Sequence, residues 1–440
     1  MAGVLSLVTA TMISGGATGA RAETLEQALA GLLQSSDRVT AAQLNLQANT
    51  EGIDEALSAY YPKAAITGDV GYEYTDSPSL RDDGDSPFST DREGVALTVT
   101  QNVWDGWRRE ATVDVARLNE QVAGLSLGAT VQDVLFEAIT AYHEVLRQTR
   151  LIEIAKSDEE NLQIQLQLED ERVQRGSGIT VDVLQAKSRL QLAKERRVAL
   201  EGRLRQAVAR YQQVYSTAPD VASLVDPVPP IALLPADMEM AVSLAQDDNP
   251  ALNASARGID IASQERIAAR SDFFPRLDLV GSAGYDNDVD GVEGYRENYS
   301  IVLRVTWEFF SGFATQSRVK RAGAVYSQRM SEYNDAGRRV AEEVRLAWEN
   351  LETSKERVEL LQNAVNIAEE VYAARQRLRE AGQESSINVL DSLSELKTAQ
   401  INFVDASYNA RLSVYRVLRA VGHLRPQDMG LSEPELTTVQ

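Results

Sequence analysis

The chain has 440 residues and a formal net charge of −21 at pH 7. This charge argues against nucleic acid as a partner, because affinity for phosphate depends on cations that release counterions. The absence of Cys excludes disulfides, thiolate chemistry and Cys-based metal sites. The two His, His143 and His423, lie far apart within helical pattern. Nothing therefore resembles an active site, and we expect neither enzymatic activity nor a cofactor.

Residues 1–22 are predicted to form an export signal. A short apolar core spans residues 4–13, and Ala20-Arg21-Ala22 is an A-x-A-like cleavage site before Glu23. No stretch approaches 18 consecutive apolar residues, so no transmembrane helix is expected. An exported chain can still enter a membrane through β-strands.

Residues 23–215 are interpreted as a first structural repeat. It is predicted to open with a helix over residues 25–60, which ends at Tyr61-Pro62. Two strands follow, at 64–74 and 95–104. In both strands apolar and polar residues alternate with a period of two. On the first strand the apolar positions are Ile66, Val70, Tyr72 and Tyr74, and on the second they are Val95, Leu97, Val99 and Val103.

Two helices are predicted to complete this repeat. Residues 105–175 contain no Pro and have apolar residues at spacings of three and four, which is typical of a long helix. About 70 residues at ~1.5 Å each give a rod of roughly 105 Å. The return helix, 181–215, is only about half as long. Two helices of half length stacked end to end would therefore match one long helix, as in a tall hollow cylinder.

A second copy of the repeat is predicted at 238–421. Trp104-Asp105-Gly106-Trp107 recurs as Phe310-Ser311-Gly312-Phe313, at an offset of 206. Pro-rich residues 216–237 form the connector, and residues 422–440 form a C-terminal tail. Duplications of this size are typical of two units that bury their apolar faces against each other. The second pair of strands places Leu277, Leu279, Ala283, Tyr299, Ile301, Leu303, Val305 and Trp307 on its apolar side.

Four amphipathic strands with aromatics near their ends are typical of a transmembrane β-barrel, although a soluble antiparallel sheet has the same alternation. Four strands cannot close a barrel, which needs about eight or more. If the strands enter a membrane, several copies of the chain must therefore contribute to one barrel.

The sequence as a whole resembles the TolC family of outer-membrane efflux and secretion channels. The features that carry the resemblance are the Tyr61-Pro62 and Phe274-Pro275 junctions and Asn249-Pro250-Ala251-Leu252. The turns at 180–186 and 386–392 add to it. The resemblance implies an α+β membrane protein with a long coiled-coil α-helical barrel and four transmembrane β-strands per chain. It also implies a homotrimer with a shared twelve-stranded β-barrel in outer-membrane lipid.

The resemblance further implies docking to an inner-membrane ABC or proton-driven transporter through a periplasmic adaptor protein. The stretch from Gly176 to Lys187 is most similar to members that serve type I secretion, whereas the wider family also includes multidrug efflux channels. The alternative is a periplasmic coiled-coil adaptor or scaffold without a pore, which would not need amphipathic strands.

Site residues follow from the same resemblance. Asp182 and Asp391 match acidic positions that ring the periplasmic constriction, and Asn388 stands where a second Asp is often found. The alternative is that both Asp residues lie in the first turn of a helix, where carboxylates meet the positive end of the helix dipole. Thr180 and Ser386 would then be the N-caps. The adaptor contacts implied are Gly176, Gly178, Ile179, Thr180, Gly382, Ser386 and Ile387.

One further motif is present. Asp286, Asp288, Asp290 and Glu297 fit the spacing of a helix–loop–helix calcium loop. The motif lies between two predicted strands, however, so an acidic surface loop is the competing interpretation.

Overall fold

The computed structural model describes residues 23–76, 78, 88–290 and 292–432. The predicted signal, residues 1–22, lies outside this range. The described part is mostly helical, with one small antiparallel sheet. The first repeat comprises α1 (Leu25–Ser35), α2 (Asp37–Leu57), β1 (Lys63–Thr75), β2 (Phe88–Trp104), α3 (Arg108–Gln174) and α4 (Thr180–Tyr215). The second comprises α5 (Met238–Asp248), α6 (Pro250–Arg270), β3 (Arg276–Val289), β4 (Val292–Thr306), α7 (Ala314–Glu380) and α8 (Ser386–Val421).

Corresponding helices of the two repeats have identical lengths. They contain 11 residues in α1 and α5, 21 in α2 and α6, 67 in α3 and α7, and 36 in α4 and α8. The offset between the copies is 213 residues up to the first strand, from Lys63 to Arg276, and 206 from the long helix onward. The seven-residue difference therefore lies entirely in the strand hairpin.

The continuous helix predicted at 25–60, and with it the corresponding helix of the second copy, is wrong, because each is broken once. The first breaks at Ser36, whose backbone is extended. The second breaks at Asn249, which has the same extended conformation because the following Pro250 disfavours helix before it. Asn249 then caps α6: its Oδ1 accepts from the backbone N–H of Ala251 and Leu252, at 3.0 and 3.2 Å.

The end of α8 closes over this second break. Gly422 ends α8 with φ +92°, and a Cβ at this position would lie 2.7 Å from the carbonyl oxygen of Asp248. The Asn249 amide Nδ2 donates to the Ala420 carbonyl at 3.0 Å. Only glycine permits this approach, so the break in one repeat is fixed by the last residues of the same repeat.

The main core lies in the middle of the long helices. Leu135, Ile139 and Tyr142 of α3 are fully buried there, against Tyr415 and Leu418 of α8 and residues from α1 and α5. Of the described helices, α3 alone has a stretch long and apolar enough to cross a membrane. A core helix has the same composition, and the buried run Val131–Leu146 of α3 belongs to this core.

The connector is tied to the start of the described chain. Glu23 pairs with Leu224 in a parallel bridge. The Tyr142 hydroxyl lies 2.9 Å from the carbonyl oxygens of both Glu23 and Val225. Burial raises the pKa of Tyr142 to about 12, so this hydroxyl stays protonated as a donor at neutral pH.

Candidate channel surfaces and hairpin ends

The sheet has the strand order β1-β2-β3-β4, and all of its pairings are antiparallel. The register places like with like: Ile66 opposes Leu97, Leu97 opposes Ala283, and Leu279 opposes Leu303. These residues, together with every second residue from them along each strand, form the apolar face. Lys63 opposes Thr100, and Asp278 opposes Arg304, on the opposite, polar face.

In the two central strands the apolar face is more exposed than the polar face, and in the edge strands β1 and β4 the apolar face is exposed as well. On the apolar face Ile66 is 77% exposed and Ile301 is 81% exposed. On the polar face Asp278 and Val280 are each only 6% exposed. A soluble sheet would bury its apolar face, whereas a membrane barrel directs that face to lipid and lines its interior with polar residues.

Aromatic side chains gather where the strands meet the helices. Trp104, Trp107 and Phe274 pack edge to face, with ring centroids 5.6–5.9 Å apart. In the second repeat Phe310 and Phe313 make the corresponding contact at 5.6 Å. Trp107, Phe310 and Phe313 are at least half exposed. Such a belt is typical of the boundary between hydrocarbon and water.

Both strand-to-helix turns use the same backbone conformation. Gly106 and Trp107 have φ +70° and +68°, and Gly312 and Phe313 have φ +59° and +66°. A bulky residue rarely adopts positive φ, so each turn holds an aromatic side chain in a strained position. In the first repeat the turn also packs tightly, since a Cβ on Gly106 would lie 3.0 Å from the Ser271 carbonyl oxygen.

The sheet has two open edges. Among the described strands, β1 pairs only with β2 and β4 only with β3. In lipid, each unpaired backbone N–H or C=O group costs on the order of several kcal/mol. Such a sheet can enter a membrane only if further strands pair with both edges.

At the opposite end of the molecule, each long helix turns back through a glycine. Gly176 and Gly382 have φ +76° and +73°, and they end α3 and α7. The N–H of Ser177 donates to the Arg172 carbonyl, and that of Gln383 donates to the Leu378 carbonyl. This is the Schellman arrangement, in which glycine supplies the left-handed residue. Gly178 is a further requirement of the first turn, because a Cβ there would lie 2.7 Å from the Val173 nitrogen.

The three predicted gate residues lie near these turns but differ in environment. Asp182 is in the first turn of α4, as the helix-dipole interpretation requires. Asp391 is not, because α8 has no acidic residue in its first turn. It is paired instead with Arg189 of α4, with 2.5 Å between Nη2 and Oδ1. Asn388 donates from Nδ2 to Glu384 at 2.5 Å, and this bond lowers the pKa of the Glu384 carboxyl.

The predicted N-caps are each displaced by one residue. The N-cap of α8 is Ser385, whose Oγ accepts from the Asn388 N–H at 3.3 Å. Ser386 instead lies in the helix at 4% exposure. The N-cap of α4 is Ile179, which makes no side-chain cap. The prediction of Thr180 as an N-cap is therefore also wrong. A Ser or Thr near the start of a helix does not by itself show which residue is the last one with an extended backbone.

The predicted adaptor contacts are mostly at the surface. Gly176, Ile179, Thr180, Gly382 and Ile387 are exposed, and Gly178 is intermediate. Ser386 is the exception, since it is buried and cannot present its side chain to a partner.

Sequence reasoning missed the buried ion pair that joins the two hairpins. Glu169 of α3 is 2% exposed, and its carboxylate accepts from Nη2 of Arg379 on α7 at 2.9 and 3.1 Å. Arg379 also donates from Nη1 to the Glu384 carbonyl at 3.0 Å. A local signal existed, because Glu169 lies in the apolar face of its helix and a buried carboxylate needs a cation on a neighbouring element.

The residues of the calcium-like motif lie outside any helix: Asp286 and Asp288 are in β3, Asp290 is in the turn that follows, and Glu297 is in β4. Their carboxylates have partners within the chain: Asp288 accepts from the Gly294 N–H at 2.7 Å, and Glu297 accepts from the Tyr299 hydroxyl at 3.3 Å. Arg296 lies 3.4 Å from Asp290 and 3.5 Å from Asp286. No group of three His, Asp or Glu able to hold a metal occurs in the described part of the chain.

Comparison with known proteins agrees with this geometry. The sequence profile described as Outer membrane efflux protein matches residues 28–215 and 241–423. The outer membrane efflux protein BepC of Brucella suis biovar 1 (strain 1330) is 22% identical, over 97% of this chain and 90% of its own length. The outer membrane protein TolC of Escherichia coli (strain K12) is 23% identical, over 99% and 90%.

The fold is shared with solved channels as well. The structure of the outer-membrane channel OprN superposes with a TM-score of 0.81 at 18% identity, covering 91% of this chain and 90% of that one. The profile covers both repeats and leaves out the connector. The chain therefore belongs to the outer membrane efflux protein family, a family of TolC-like channels rather than enzymes, and it is an outer-membrane protein.

Proposed function

We propose that three copies of this chain close a twelve-stranded barrel in the outer membrane and extend it as a helical tunnel across the periplasm. The tunnel exports substrates delivered by an inner-membrane transporter through a periplasmic adaptor. The observation that carries the proposal is a sheet with an exposed apolar face and two open edges. Pairing β4 of one copy with β1 of the next satisfies both edges at once, and three copies give twelve strands.

The tunnel itself is supported by the helices. Each long helix of 67 residues spans roughly 100 Å at ~1.5 Å per residue. Much of the lower half of α7 is unpartnered within one chain: Leu360 and Ile367 are 68% and 64% exposed, and the last fully buried residue of α7 is Leu351. Neighbouring copies would cover this surface in a closed helical cylinder.

The hairpin ends are proposed as the periplasmic constriction. Asp182, Asn388 and Asp391 line it, and Gly176, Gly178, Ile179, Thr180, Gly382 and Ile387 contact the adaptor. The exported substrate is either a protein, as the resemblance of the first turn to type I secretion members suggests, or small molecules. A scaffold without a pore is disfavoured because it gives no role to an exposed apolar face on the sheet.

The decisive experiment is the mass of the purified protein. The full chain extracted from outer membranes is expected to migrate as a heat-modifiable trimer and to conduct ions in planar bilayers. Light scattering that yields a monodisperse monomer as the protein mass contradicts the shared barrel. Recovery of the chain in the soluble periplasmic fraction would support the scaffold instead.

A further inference from the structure

A set of cations lies on the polar face of the sheet, where the strands meet the helices. A cavity of about 570 Å³ opens there, and its lining includes Lys63, Thr100, Asn102, Arg276 and Thr306. The register assigns all five to the polar face. In the closed barrel of the proposed function this face lines the lumen. The cavity therefore belongs to the periplasmic mouth of the barrel.

Several of these cations are structural. Arg109 donates to the carbonyls of Asn102 and Val103 at 3.0 Å, where the strand register shifts, and its guanidinium lies 4.7 Å above the ring of Tyr60. It also pairs with Asp105 at 3.5 Å. Its charge is therefore fixed in place by the fold.

Two more arginines share one carboxylate. Arg108 at the start of α3 and Arg318 near the start of α7 both pair with Asp272, the latter at 2.7 Å. Arg276 pairs with the buried carboxylate of Asp278 at 2.8 Å. Asp272 thus has two cationic partners, and the arginine side chains remain 44–59% exposed.

Lys63 and Arg304 have no such partner. Both are exposed, and neither makes an ion pair among the described residues. Arg304 lies directly across from Asp278, which Arg276 already occupies. Glu308 also lines the cavity. Among the cavity lining and the opposed positions Asp278 and Arg304, six cations therefore face four carboxylates, an excess of two positive charges per chain. A trimer carries three such sets, in a protein whose chains are each −21 overall.

We propose that these six cations, Lys63, Arg108, Arg109, Arg276, Arg304 and Arg318, form a cationic belt in the lumen that binds acidic polypeptide segments in transit. A small anion contacts only one or two of the charges, and its attraction to the others is weakened because salt screens charges over about 10 Å at 0.1 M. An extended acidic segment meets cations from all three chains at once. A ring of one sign in a narrow passage concentrates ligands of the opposite sign.

The inference rests on the proposed channel, and its test separates the two. The trimer is reconstituted in planar bilayers, and poly-L-glutamate is added on the barrel side in 0.1 M KCl. Reversible block of the current is expected, with relief in 1 M KCl because the screening length falls to about 3 Å. Poly-L-lysine on the same side should block less.

Matched variants assign the effect to the belt. In Lys63→Glu/Arg304→Glu the charge at the mouth reverses, and half-block should require about tenfold more poly-L-glutamate. Lys187→Glu/Lys194→Glu makes the same charge change on α4 and should leave the block unchanged. Lys63→Gln/Arg304→Gln gives an intermediate effect if the reversed variant does not assemble.

The outcomes are distinct. A wild-type channel that conducts but is not blocked by poly-L-glutamate overturns the belt and leaves the channel standing. Equal block of wild type and the Lys63→Glu/Arg304→Glu variant overturns it as well. Absence of any conductance from a correctly folded trimer contradicts the channel itself.

Discussion

Arg189 and Asp391 lie on different helical hairpins, yet only 2.5 Å separates their charged groups. The pair joins α4 to α8 near the turns, in addition to the Glu169–Arg379 pair between α3 and α7. Asp182 has no comparable partner among the described residues. The two aspartates proposed as gate residues therefore differ: the Asp391 carboxylate is paired with Arg189, and the Asp182 carboxylate has no cationic partner among the described residues.

This difference predicts separate phenotypes for the two aspartates. Arg189→Gln and Asp391→Asn should each favour the open tunnel, by up to about fivefold, since a half-exposed pair contributes at most about 1 kcal/mol. Single-channel conductance and leak in planar bilayers measure the effect. The double variant should match either single variant, and fully additive effects would show that the pair does not hold the hairpins together.

Asp182→Asn should instead lower cation selectivity and leave the conductance close to wild type. Up to three unpaired carboxylates at a constriction attract cations, and their removal shifts the reversal potential in a salt gradient. Combining Asp182→Asn with Asp391→Asn should give both changes. If wild-type selectivity persists in the combined variant, the filter lies elsewhere in the tunnel.

Breaking the buried pair should cost more stability than breaking the exposed one. Arg379→Gln leaves the Glu169 carboxylate, which is 2% exposed, with only Arg172 at 3.3 Å. We expect a loss of about 2 kcal/mol, below the ~3–5 kcal/mol of fully buried pairs because Arg379 is 23% exposed. Thermal unfolding of the trimer measures it. Adding Glu169→Gln should recover much of the loss, and failure to do so would mean that Arg379 acts mainly through the Glu384 carbonyl.

His143 predicts a dependence of stability on pH. Its ring is fully buried, with Nδ1 2.8 Å from the Ile139 carbonyl, and burial lowers its pKa to about 4. The unfolded chain, with an ordinary pKa near 6.5, then binds more protons than the folded chain between pH 6.5 and 4. Stability should fall as the pH drops through this window, by on the order of 3 kcal/mol in total. His143→Gln should flatten this slope, whereas His423→Gln, at a half-buried pair with Asp248, serves as the control.

Adjacent residues on β4 test the orientation of the sheet. Ile301 is 81% exposed on the apolar face, and Val302 is 43% exposed on the polar face. Ile301→Arg should reduce outer-membrane assembly, since an Arg facing lipid near the midplane costs about 2–4 kcal/mol. Val302→Arg should be tolerated. The yield of heat-modifiable trimer measures both, and equal losses would contradict the assignment of the faces.

The periodic elements were predictable from the sequence because their signals are local. The alternation of apolar and polar residues with a period of two assigned both faces of all four strands. The Pro-free run predicted α3 to within three residues at its start and one at its end. The break at Ser36 was missed because one extended residue hardly disturbs a helical pattern, whereas the break at Asn249 had a local signal in Pro250 that the prediction of a continuous helix did not use. The Arg189 partner of Asp391 and the Arg379 partner of Glu169 lie about 200 residues away along the chain, so no local pattern could identify them.

The equal helices and unequal strand hairpins of the two repeats carry a record of their divergence. The matched helices of the two repeats have the same lengths, whereas the first strand hairpin is longer than the second by seven residues. A difference in the length of a strand hairpin therefore leaves the lengths of the helices unchanged. The two strand hairpins can thus differ in length without altering the height of the proposed tunnel, which the helices set.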